Sequence, residues 1–184
     1  MTRVLRQFWP FWVFLGLAAV FAKALIGIDR GAIDPHAIQS PLLGKRAPEF
    51  DLPSVLDPTQ RVRLQDSAGR YRVINVWGSW CVACKAEHEA LLKLHLQQSI
   101  QFIGIDWKDD PSTALEYVRK LGNPYDAIAD DQAGQVAIDY GVYGAPESFL
   151  ISPQGIVLAK HTGPLTEAAF AAEFAPLMKP GATS

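Results

Sequence analysis

Val73-Ile74-Asn75-Val76-Trp77-Gly78-Ser79-Trp80-Cys81-Val82-Ala83-Cys84 is the stretch on which the fold turns. Its first half is apolar and β-branched, the pattern of a central strand. Its second half opens a helix that runs from Val82 to Gln98, with Leu91, Leu92, Leu94 and Leu96 set among charges. A strand that delivers two cysteines, two residues apart, to the start of a helix is a specific arrangement.

Those are the only cysteines among 184 residues. A pair this close encloses a very small loop and constrains the unfolded chain little, so a structural staple is a poor explanation. A closed zinc site would need two more ligands. The histidines at 36, 88, 95 and 161 form no second close pair. Redox chemistry is the leading reading, with a half metal site or an incidental pair as the alternatives. The thiolate is the attacking species in disulfide exchange. Cys81, where the helix begins, faces unpaired backbone N–H groups and the positive end of the helix dipole, both of which favour S⁻. Cys81 is therefore expected to be the exposed nucleophile, and Cys84, one turn in, the shielded resolving cysteine.

Outward from this stretch, Glu49-Phe50-Asp51-Leu52 and Arg61-Val62-Arg63-Leu64 alternate as short strands around a turn at Asp57-Pro58. Phe102-Ile103-Gly104-Ile105 is a second buried strand, and Ser112–Leu121 a helix capped by Ser112 or Asp110 and ended by Gly122. Gln132–Tyr140 is a short helix, Ser148–Ile151 and Ile156–Ala159 a hairpin, and Glu167–Met178 a closing helix. Alternating strands and helices that finish in a hairpin predict an α/β fold, a central mixed sheet with helices on both faces.

Before this domain, residues 8–28 are almost wholly apolar and follow Arg3 and Arg6. About 20 residues at ~1.5 Å each cross a ~30 Å hydrocarbon layer. Residues 1–28 are therefore expected to be a single membrane anchor, and 29–46 a linker to a domain at 47–180. The positive-inside rule keeps Arg3 and Arg6 in the cytoplasm and sends the domain outward. A cleaved signal peptide is the rival, but no clean small-x-small site follows the apolar run. Net charge is −2 with no basic run, which leaves nucleic-acid binding without an electrostatic footprint.

The motif from Trp77 to Cys84 resembles the thioredoxin active site. Cys84-Lys85-Ala86-Glu87-His88, Gly141-Val142-Tyr143-Gly144-Ala145-Pro146-Glu147 and Gly104-Ile105-Asp106-Trp107-Lys108-Asp109-Asp110 together resemble the CcmG/DsbE family of cytochrome c maturation. The resemblance spans about residues 47–178 and implies a thioredoxin-like fold preceded by one transmembrane helix. Where that family often has proline after the first cysteine, this chain has Val82.

Around the cysteines several readings compete. Glu87 lies one turn beyond Cys84 on the same helical face and is either a solvated carboxylate or, as the resemblance implies, a working acid. Pro146 is an ordinary loop proline by base rate, whereas the resemblance implies a cis proline packed against the sulfurs. The backbone at Ala145 could then pair with an extended peptide. Trp80, Tyr143 and Glu147 either line that groove or are packing residues. His88 reads as a helix-surface histidine, and Asp106 has no assigned role.

The resemblance implies a periplasmic reductant of disulfides in apocytochrome c or its haem-ligation partners. It would need no cofactor and would be re-reduced by a membrane donor of the DsbD/CcdA type. The rivals are a general reductant of the TlpA/ResA type, a metal-shuttling CxxC module and a peroxiredoxin. Gly44–Phe50 resembles a peroxiredoxin opening, but no Pro-x-x-x-Thr-x-x-Cys context precedes Cys81.

Overall fold

The computed structural model describes residues 9–29, 40–97 and 100–178. It divides into two units, Met1–Ile38 and Gln39–Ser184. In the first, helix α1 spans Trp9–Asp29. Its described side chains, residues 10–23, are exposed all round the helix. Among the described residues no helix is long and apolar enough to cross a membrane. Arg3, Arg6 and most of the expected linker lie outside the described residues.

The second unit begins before residue 47. Gly44 N–H donates to Val157 O at 2.9 Å, and Arg46 bridges Ile156, so the last part of the expected linker is joined to the domain's hairpin. Strands β1 (Asp51–Pro53) and β2 (Arg61–Arg63) form a small antiparallel ribbon. The main sheet comprises β3 (Arg72–Trp77), β4 (Gln101–Trp107), β5 (Ala127–Asp131), β6 (Glu147–Ile151) and β7 (Val157–Thr162). Its order is β5-β4-β3-β6-β7, with β3, β4 and β5 parallel and β6 and β7 antiparallel to their neighbours. Every residue of β3 is buried, as its central place requires.

Alternation along the strands separates two cores. Val73, Trp77, Phe102 and Ile128 face one side, under α2 (Val82–Gln97), α3 (Pro111–Leu121) and the closing helix with Phe170 and Phe174. Ile74, Val76, Ile103 and Ile105 face the other, with Val136 and Ala137 of α4 (Gln135–Asp139). Helix α2 buries Cys84, Glu87, His88, Leu91 and Leu94, a stripe at helical spacing that fixes which way the cysteines turn. Asp110 caps α3 by accepting from Ser112 N–H and Thr113 N–H, with Pro111 at the first turn. Such a cap contributes ~1 kcal/mol.

Candidate active site

Strand β3 ends at Trp77, the chain turns through Gly78-Ser79-Trp80, and α2 starts at Val82. Cys81 and Cys84 are joined by a disulfide, with their Cα atoms 5.3 Å apart. Cys84 N–H donates to Cys81 Sγ at 3.1 Å, the helix N-terminal contact that would stabilise a thiolate there. Exposure does not separate the two, since each is 4% accessible in this oxidised form. The expectation of a more exposed Cys81 is corrected: in this oxidised form both are equally buried, and the Ala145 carbonyl of the facing loop stands against Cys81 Sγ.

That facing loop runs from Gly141 to Pro146. The Ala145–Pro146 bond is cis, and Ala145 O lies 3.5 Å from Cys81 Sγ. Pro146 is buried, and Ala145 is partly so. Trp80 (51% exposed) and Tyr143 (54%) stand out into solvent. The Trp80 indole N–H donates to Trp107 O at 3.2 Å. From the same turn, Ser79 N–H donates to the Asp109 carboxylate at 2.5 Å. The segment before Cys81 is thus tied to the end of β4.

Glu87 is 1% exposed. Its Oε1 accepts from Asn75 Nδ2 at 3.0 Å and its Oε2 from Leu165 N–H at 2.6 Å. Asn75 also donates to Ser148 Oγ and accepts from the Tyr125 hydroxyl at 2.6 Å. Burial raises the Glu87 pKa from its ordinary 4.5 to about 7, against the lowering effect of the two donors. The solvated reading of Glu87 is therefore wrong, and a carboxyl that titrates near neutrality lies one helical turn beyond Cys84.

Glu147 does not line an open groove with its side chain. It is fully buried, and its carboxylate pairs with Lys160 Nζ at 2.8 Å. The ammonium lies over the Tyr143 ring, 4.8 Å from its centroid, and donates to Gly141 O at 3.1 Å. The pair therefore supports the loop from beneath. His88, expected at the surface, is buried, with Nε2 3.0 Å from Gly122 O and its ring edge-on to Tyr117. It closes the end of α3.

The sequence reading missed Asn75 and Lys160, and left Asp106 unassigned between burial near the site and the opening of a loop. A lone amide inside the β3 run was a visible signal, whereas nothing local linked Lys160 to Glu147. Asp106 pairs with Trp77 across the β3–β4 ladder and is fully buried, and among the described residues no donor reaches either of its oxygens. Burial and then the neighbouring Asp109 charge raise its pKa to about 8. Among the described residues no group of three or more His, Cys, Asp or Glu side chains could hold a metal ion.

A strand-delivered CxxC at a helix N-terminus, faced by a cis-proline loop over a buried acid, defines a thioredoxin-like thiol–disulfide oxidoreductase. The Redoxin family profile matches residues 42–173. The thiol:disulfide interchange protein DsbE of Allochromatium vinosum is 37% identical over 96% of this chain and 94% of its own length. Its Pseudomonas aeruginosa counterpart is 40% identical over 86% and 88%. A solved structure of a candidate DsbE from Chlorobium tepidum superposes with a TM-score of 0.64 at 28% identity, over 73% of this chain and 95% of that one. The chain belongs to the Redoxin family and, within it, to the DsbE (CcmG) thiol:disulfide interchange proteins.

Proposed function

We propose that this chain is a membrane-anchored, periplasm-facing dithiol reductant that serves cytochrome c maturation. Its substrate is a disulfide in apocytochrome c or in a haem-ligation partner. Reduced Cys81 attacks as the thiolate, forming a mixed disulfide and expelling one substrate thiolate. The Cys84 thiol gives its proton to ionised Glu87 and attacks Cys81 Sγ. That step releases the substrate as a dithiol and leaves the Cys81–Cys84 disulfide. Two electrons pass to the substrate, and a membrane dithiol donor of the DsbD/CcdA type restores them. Trp80, Tyr143 and the backbone at Ala145 receive the substrate as an extended segment. The apolar run after Arg3 and Arg6 supports inner-membrane anchoring with the domain in the periplasm.

The observation that carries the reading is the Cys84 N–H donated to Cys81 Sγ, beside the loop carbonyl of Ala145. The test is the reduction potential of the 81–84 couple, with a disulfide-bonded peptide bearing haem-binding cysteines as substrate. A potential near that of thioredoxin, roughly −270 mV, with rapid reduction of that peptide supports the proposal. A strongly oxidising potential near roughly −120 mV would reverse the direction of electron flow. Equal rates on unrelated disulfide peptides would replace the proposed client with a general one.

A further inference from the structure

Glu87 takes one of its two hydrogen bonds from the backbone N–H of Leu165. That N–H belongs to the peptide unit whose carbonyl is Pro164 O. His161 Nε2 lies 3.3 Å from Pro164 O, and His161 Nδ1 lies 3.0 Å from Glu173 Oε2. One planar amide therefore has the imidazole at its oxygen and the buried carboxylate at its nitrogen. Both ring nitrogens face oxygen acceptors, so the ring's hydrogen bonds are complete only when it carries both protons. A donor at the carbonyl polarises an amide and strengthens its N–H as a donor, by ~10–30% per bond.

We infer that His161, held by Glu173, is a positioning residue that acts on Glu87 through the Pro164–Leu165 peptide and keeps that acid available as a base at neutral pH. The inference rests on the reading of Glu87 as the acceptor for the Cys84 proton. Among the described residues, the other groups facing Glu87 supply no positive charge. They are Asn75 of β3 with Tyr125 behind it, Tyr117 of α3, and Cys84 on its own helix. Among the described residues, His161 is the basic side chain whose charge lowers the Glu87 pKa. It stands opposite Ser148 in the β6–β7 ladder, and Ser148 accepts from the same Asn75 amide that binds Glu87. The carboxylate is thus approached from β3 by a direct donor and from β7 by a relayed one.

The test compares the full-length protein with His161→Leu and Glu173→Gln in detergent micelles. The Glu87 carboxyl titration is read by infrared difference against Glu87→Gln. His161→Leu is expected to raise the Glu87 pKa by about half a pH unit or more, and Glu173→Gln to move it the same way by less. The pH profile for resolution of a mixed disulfide at Cys81 should shift upward with it, about threefold slower below the pKa. An unmoved Glu87 titration in His161→Leu overturns the inference. If that variant does not fold, an unmoved titration in Glu173→Gln does so instead. A resolution profile unchanged by Glu87→Gln would instead defeat the assignment of Glu87 as base, a result the carboxyl titration keeps separate.

Discussion

Replacing Glu87 by glutamine removes a charge from a site that is 1% exposed, and its effect on stability has a definite sign. In the folded, oxidised protein the Glu87 pKa is raised from its ordinary 4.5 to about 7, with burial as the main cause. Below pH 4.5 both folded and unfolded chains hold the proton. Between 4.5 and 7 the unfolded chain releases it while the folded one retains it, so stability falls as pH rises and levels off above 7. The rise corresponds to ~3 kcal/mol at ~1.4 kcal/mol per pH unit. Glutamine has no such slope. Its amide NH₂ would meet either the Leu165 N–H or the Asn75 amide, a mismatch that costs ~1–2 kcal/mol at every pH. Glu87→Gln is therefore expected to be the less stable protein at pH 4.5. It should gain on the wild type by about 3 kcal/mol as pH reaches 8. Asp106 titrates in an overlapping range but is common to both proteins and cancels in the difference. Urea unfolding of the oxidised, detergent-solubilised chains across that range measures it. Parallel stability curves for the two proteins would refute the argument.

Glu147→Gln leaves the Lys160 ammonium buried without its partner and should cost ~3–5 kcal/mol, read as a lower urea midpoint. Glu147→Gln combined with Lys160→Met should recover most of that loss, and failure to recover would mean that the ion pair is not the cause. Asp106→Asn should flatten the decline in stability that the wild type shows as pH rises from about 4 to about 8, because the folded acid keeps its proton to about 8; an unchanged slope in urea unfolding would count against this. A chain starting at Ser40 should be soluble and retain disulfide exchange in a peptide-reduction assay, and aggregation or loss of activity would make the N-terminal segment part of the fold.

The parts of the fold that were legible in the sequence are those that depend on neighbours in the chain. The β3 run, the helix expected from Ser112 with Asp110 as one of its two candidate caps, and the β6–β7 hairpin each carry their own local pattern, and each forms, the helix starting one residue earlier at Pro111. Boundaries moved where a distant or unanticipated group intervened. Helix α4 starts at Gln135 because the Asp131 carboxylate accepts from Val136 N–H and Ala137 N–H and Gly134 makes the preceding turn at φ 75°. The closing helix is not uniform. It passes from α-helix (Glu167–Ala169) through a π segment (Phe170–Phe174) to a 3₁₀ turn at Ala175–Leu177, where Pro176 has no N–H to give. At the site, spacing placed Glu87 on the Cys84 face, but the donor that fixes its carboxylate, Leu165, lies 78 residues away. Long-range partners of that kind leave no periodic trace. The same is true of Lys160 under the Tyr143 loop, which turned Glu147 from a presumed groove residue into a buried support.

The measurement that bears most directly on the account is cysteine-specific alkylation of the fully reduced protein at neutral pH, with the modified residue located by mass spectrometry. Cys81, which holds the N–H of Cys84 and stands at the start of α2, should be modified first. In parallel, Cys84→Ser should accumulate a mixed disulfide through Cys81, while Cys81→Ser should form none. Preferential modification of Cys84, or a mixed disulfide trapped by Cys81→Ser, would contradict the assignment of Cys81 as the attacking sulfur.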